Sequence, residues 1–143
     1  MKRSILLAIT IILFPLLLGM GSLRGGSPDK VPIPEKKFVV TFIDQSDVLT
    51  ECRDASIEGS TFIEGKRGEG KYTISFDNIS SAVFMFNEDK LRSVITMRDG
   101  NTAELVLNKD HKAYGLTRYG TYQIKLSDLK KMSIGVSSQK SQK

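Results

Sequence analysis

Only one histidine and one cysteine occur in this chain, His111 and Cys52. They are the two side chains best suited to acid–base or covalent work. A histidine titrates near neutrality and can act as a general base or a metal ligand. A cysteine becomes a nucleophile once its thiol is deprotonated. A Cys52–His111 dyad would therefore be the simplest active site the composition allows, but it lacks a third orienting group and a nucleophile-turn motif. His111 stands in the polar run Asn108-Lys-Asp-His-Lys112 and reads as a solvated loop residue. Cys52 shares the parity of Val48 and Thr50 and reads as a small buried hydrophobe. A thiol poised beside Arg53, or an intermolecular disulfide, is the alternative.

Other chemistry-bearing patterns are weak. Gly65-x-x-Gly68-x-Gly70 has the spacing of a phosphate loop, but a strand follows it where a helix N-terminus is required. These glycines are instead expected to serve turns of positive φ, or to let one backbone pass close to another. Asp44, Asp47 and Asp54 do not match a calcium loop, and Gly-x-Ser-x-Gly is absent. No enzyme activity, no cofactor and no metal site are expected.

Aromatic residues are the better candidates for a binding surface. Phe84, Met85 and Phe86 are consecutive, so one parity must face away from the core. Tyr114 and Tyr119 flank a glycine turn, where the first half of the chain has Glu64 and Glu69. Loop tyrosines offer contact area at little entropic cost. The asymmetry marks Tyr114 and Tyr119, and the consecutive run marks Phe84 and Phe86, as candidate binding residues.

Strands must carry these residues. After Gly70 the chain alternates Tyr72, Ile74 and Phe76 with Lys71, Thr73 and Ser75. After Gly120 it alternates Tyr122, Ile124 and Leu126 with Thr121, Gln123 and Lys125. A period of two places one face in a core and the other in water. At an offset of 50, Gly65, Gly70, Tyr72 and Ile74 fall on Gly115, Gly120, Tyr122 and Ile124. Upstream, Val39-Val-Thr-Phe42 matches Val94-Ile-Thr-Met97 at an offset of 55, a five-residue difference in loop length. The chain thus reads as all-β, with two tandem four-stranded units, 38–86 and 91–136. They form one domain, 38–136, a sandwich or barrel of about eight strands.

The flanks set the compartment. Lys2 and Arg3 precede the uncharged run Ile5–Leu18, and Gly19-Met-Gly21 offers small residues for cleavage before Ser22. Residues 1–21 are read as a signal helix, with a retained inner-membrane anchor as the alternative. Residues 22–37, rich in Pro and Gly, are read as a linker, and 137–143 as a disordered tail. The formal charge of +5 resides in these flanks, because Phe38–Ile134 carries 13 basic and 14 acidic residues. A near-neutral domain without a basic stripe argues against nucleic acid.

The run Gly120-x-Tyr-x-Ile-x-Leu-Ser-Asp-Leu-x-Lys-Met-x-Ile134 resembles a pattern of exported bacterial β-rich proteins of uncharacterised function. The arrangement is also similar to parts of small SH3-like and Sm-like barrels. The resemblance implies a fold and no catalytic residues. The expectation is an exported module of the cell envelope, periplasmic or extracellular, that binds an envelope protein or plays a structural part. A small-ligand site at the Tyr114/Tyr119 turn and a thiol protein using Cys52 are the alternatives.

Overall fold

A computed structural model of the chain describes residues 31–135. The signal segment and the C-terminal tail lie outside the described residues. The described chain is all-β, as expected. Ten strands form one curled antiparallel sheet: β1 (Val40–Asp44), β2 (Leu49–Ile57), β3 (Phe62–Arg67), β4 (Gly70–Ser75), β5 (Ile79–Asn87), β6 (Lys90–Met97), β7 (Thr102–Leu107), β8 (Lys112–Thr117), β9 (Gly120–Lys125) and β10 (Leu129–Ile134). Their order across the sheet is β4-β3-β7-β6-β5-β10-β1-β2-β8-β9. The sheet is a half-barrel with free edges at β4 and β9, neither a sandwich nor a closed barrel.

The expected count of about eight strands is corrected to ten. The two additional strands are β3 and β8, which carry Gly65 and Gly115. Read from sequence, those glycines looked like turns. In the fold they are mid-strand, and neither has a positive φ. The turns lie at Gly68 (φ 61°), Gly100 (φ 90°) and Gly120 (φ 130°).

Replacing each strand in the order by the one five places along produces the same order reversed. Sequence neighbours do not stay together, however. The β3–β4 hairpin pairs with β7, and the β8–β9 hairpin pairs with β2. Each hairpin therefore completes the sheet of the opposite half.

The concave face holds the core. Val40 and Phe42 on β1, Cys52 on β2, Ile63 on β3, Phe84 on β5, Leu91 and Ile95 on β6, and Leu105 on β7 are all buried. The strand period of two sends these side chains to one face. On β1 Val40 and Phe42 are fully buried, while Thr41 and Ile43 are half-buried. One turn of 3-10 helix after β4 drops Phe76 into the core, and one after β9 does the same with Leu126. Phe76 meets Phe38 edge-on, with ring centroids 5.5 Å apart.

The described end of the linker packs onto the domain. Pro34 is buried, Pro32 lies against Gly59, and Lys36 bonds Asp77 at 2.7 Å. The Lys36 hydrogen bond holds the Asp77 carboxyl below its usual range.

Candidate binding cleft

β2 is longer than the strand that pairs with its outer side. It registers with β8 from Arg53 to Ile57, with a bulge between Arg53 and Ser56. Asp54 at φ 50° marks that bulge, and bulges commonly end a pairing. Leu49–Cys52 therefore register with β1 alone among the described strands. Across the gap stands the β8–β9 turn. Thr117 fixes it, its hydroxyl donating to the Gly120 carbonyl at 2.9 Å and accepting from the Tyr119 N–H at 3.1 Å.

The result is a cleft of about 850 Å³. Val48, Leu49, Leu116 and Tyr119 give it an apolar wall, and Arg53 and Arg118 a basic rim. Tyr119 is 92% exposed and Leu49 63%. Tyr122 lies deeper, stacked on Phe42 with centroids 5.8 Å apart and planes at 27°. Burial pushes the Tyr122 phenol above its ordinary pKa, and Thr50 beside it pulls part of the way back.

The structure separates the residues singled out from sequence. Tyr119 lines the cleft, but Tyr114 does not. Tyr114 is half-buried on β8 opposite Ser56 and Gln123. Burial raises its pKa, with Glu58 adding to the rise. Phe84 is in the core, 3% exposed, and so offers no contact surface, whereas Phe86 at the end of β5 is 46% exposed. Val48, Leu49 and Arg118 were not singled out. Nothing in their local pattern shows that β2 outruns its partner.

Cys52 and His111 are not brought together. Cys52 is fully buried against Gly115. His111 precedes β8, four residues from Gly115, or about 13 Å along an extended chain. It lines a separate pocket of about 140 Å³ with Glu58, Ser60 and Glu64 among its neighbours. Among the described residues no group of three His, Cys, Asp or Glu side chains could hold a metal ion.

Burial, and then the Glu51 charge, push the Cys52 thiol from 9.0 up to about 11. The native thiol is therefore expected to resist alkylation near neutral pH and to react once denaturant opens the fold. Fast alkylation of the folded protein would contradict this placement. The same shift couples to stability. Above pH 9 the unfolded thiol releases its proton while the folded one keeps it until about 11. Stability should therefore fall through that window, by up to about 3 kcal/mol. Cys52→Ala should remove that part of the decline in pH-dependent urea titrations.

No curated protein and no solved structure matches this chain. The model of an uncharacterised protein family does match it over residues 34–137, a span that contains every strand of the sheet, and the chain belongs to that family.

Proposed function

We propose that this chain is an exported, non-enzymatic binding module of the cell envelope, and that it holds an extended segment of a partner protein in the cleft between β2 and the β8–β9 turn. One observation carries the reading: among the described residues Leu49–Cys52 have no strand on one side, right beside the exposed Val48, Leu49 and Tyr119. An extended peptide can add to such an edge through its main chain, and pockets for alternate side chains then select among sequences. The strand order that maps onto itself supports a second part of the reading. The two halves are tandem copies that exchanged hairpins, and only the second copy acquired the aromatic turn. Export rests on the basic start and apolar run of residues 1–21.

A small-molecule ligand is the second reading, favoured by the volume of the cleft, which lies within the usual range for such sites. The thiol reading receives no support from a fully buried, protonated Cys52.

The test is selection of extended peptides from a random displayed library against the full chain. Selected peptides should carry apolar residues at alternate positions. Tyr119→Ala or Leu49→Lys should weaken them about tenfold or more. Both positions are exposed, so stability should change by less than about 0.5 kcal/mol. Peptides that bind these variants as tightly as the parent would remove the cleft from the proposal.

A further inference from the structure

A second cleft of the same construction and different chemistry lies between β7 and the β3–β4 turn. β3 meets β7 at Lys66–Val106 and then turns back through Gly68 into β4. Thr102–Leu105 register with β6 and with no other described strand. Between this free stretch of β7 and the β3–β4 turn lies a cleft of about 470 Å³. Where the other cleft has Val48, Leu49 and Tyr119, this one has Lys66, Arg67 and Arg92, with Val106 and Glu104 between them.

The register sets the cations in a row. Arg92 stands opposite Val106, Val106 opposite Lys66, and Lys66 opposite Lys71. Neighbouring strands are about 4.8 Å apart, so Arg92 and Lys66 flank Val106 on one face within about 10 Å. Lys71 is neutralised by Glu64 at 2.6 Å. Lys66, Arg67 and Arg92 form no ion pair with any described residue.

We infer that this cleft binds an acidic, extended polypeptide segment. Its main chain adds to the free edge of β7, and its carboxylates face Lys66 and Arg92 beside Val106, and Arg67 at the β3–β4 turn. A peptide suits the site better than a nucleic acid. The edge offers main-chain donors and acceptors, and no aromatic side chain lines the cleft to stack a base.

The experiment titrates a fluorescent peptide of alternating glutamate and threonine into the full-length chain and follows anisotropy. A lysine–threonine peptide and an oligothymidylate serve as controls. The acidic peptide should bind saturably, more weakly at physiological than at low ionic strength. Lys66→Glu and Arg67→Glu should each weaken it about tenfold, while Tyr119→Ala leaves it unchanged. That last variant separates this site from the apolar cleft, so either can fail alone. N-methylation of one alternate set of peptide amides should abolish binding with every charge retained. The inference is overturned by absence of saturable binding, by equal binding of the basic peptide, or by tighter binding of the oligonucleotide. It is also overturned if charge reversal has no effect, or if neither N-methylation pattern weakens the complex.

Discussion

Gly115→Ala is expected to destabilise the protein by about 3 kcal/mol, at the upper end of what one added carbon does in a packed core. A Cβ at this position would lie 2.4 Å from the Cys52 Cβ and 2.9 Å from its sulfur. The Cβ of Cys52 is fixed by the β1–β2 register, Val40 opposite Cys52, so relief requires β8 to move away from β2. That movement would disturb the pairing from Arg53 to Ile57, the strand register that joins the β8–β9 hairpin to the rest of the sheet. Gly65→Ala should cost less, about 2 kcal/mol. Its closest obstacle, at 2.6 Å, is the end of the Leu107 side chain, although the Leu105 Cβ and the Val106 carbonyl follow at 2.9 Å. Gly68→Ala meets no atom within 4 Å and suffers only from its φ of 61°, about 1 kcal/mol. Urea unfolding of the three variants gives the ranking directly. A second comparison identifies the cause: Cys52→Ala should not rescue Gly115→Ala, because the clash is with the Cβ, whereas Cys52→Gly should show favourable coupling to it. A Gly115→Ala variant within about 0.5 kcal/mol of the parent would mean that the two strands are not in this contact.

These glycines also show how much of the fold the sequence made legible. The alternation after Gly70 and Gly120 identified β4 and β9 correctly, because a period of two is a local property. The strands around Gly65 and Gly115 escaped notice for the opposite reason. A glycine needed for close approach looks in sequence like one needed for a turn, and its partner is remote: Leu107 for Gly65, Cys52 for Gly115. At the offset of 55, Cys52 stands where the other half has Leu107, so the cysteine that drew attention as a nucleophile occupies a core position. The pairing of each hairpin with a strand of the other half was equally hidden. It is a matter of which strand meets which, and alternation carries no information about that.

The candidate site was legible only in part. Tyr119 was found from an asymmetry between halves, Tyr against Glu69, and it proves to be the most exposed large hydrophobic side chain among the described residues. Tyr114, marked by the same asymmetry, and Phe84, marked by the parity of a consecutive run, do not reach the cleft, because exposure depends on which neighbour covers a residue. Phe84 and Phe86 share a parity, yet Phe84 lies over the core and Phe86 at the strand end. The cleft itself exists because β2 extends past the Arg53–Leu116 pair. No residue type encodes that. The balance of charge gave a related lesson, since a near-neutral domain argues against a polyanion as a whole and is silent on three cations, without an ion pair among the described residues, that line one cleft.

Phe42→Ala should have the largest effect of any single substitution considered, about 4 kcal/mol, and it should also act at a distance. Phe42 is 1% exposed at the centre of the concave face, and its ring stacks on Tyr122. Tyr122 stands opposite Gly115. A glycine in a strand interior offers nothing to pack, so the aromatic contact supplies what Gly115 lacks and ties β9 to β1 across β2 and β8. In the other half Tyr72 stands opposite Gly65, but Met97 takes the place of Phe42 at the offset of 55, and Tyr72 remains 48% exposed. The β3–β4 hairpin should therefore open at lower free energy than β8–β9 in native-state hydrogen exchange. Phe42→Ala should erase that difference, lowering protection on β9 by more than on β4. Met97→Ala, at a half-buried site, should cost about 2 kcal/mol and leave the β9 amides near the new global limit. Because Tyr122 lines the same cleft as Tyr119, the Phe42 variant should also bind the selected peptides more weakly while still folded. Equal loss of protection on β4 and β9 would show that the stack is incidental, and would leave the bond network of the Thr117–Gly120 turn as what holds Tyr119 in position.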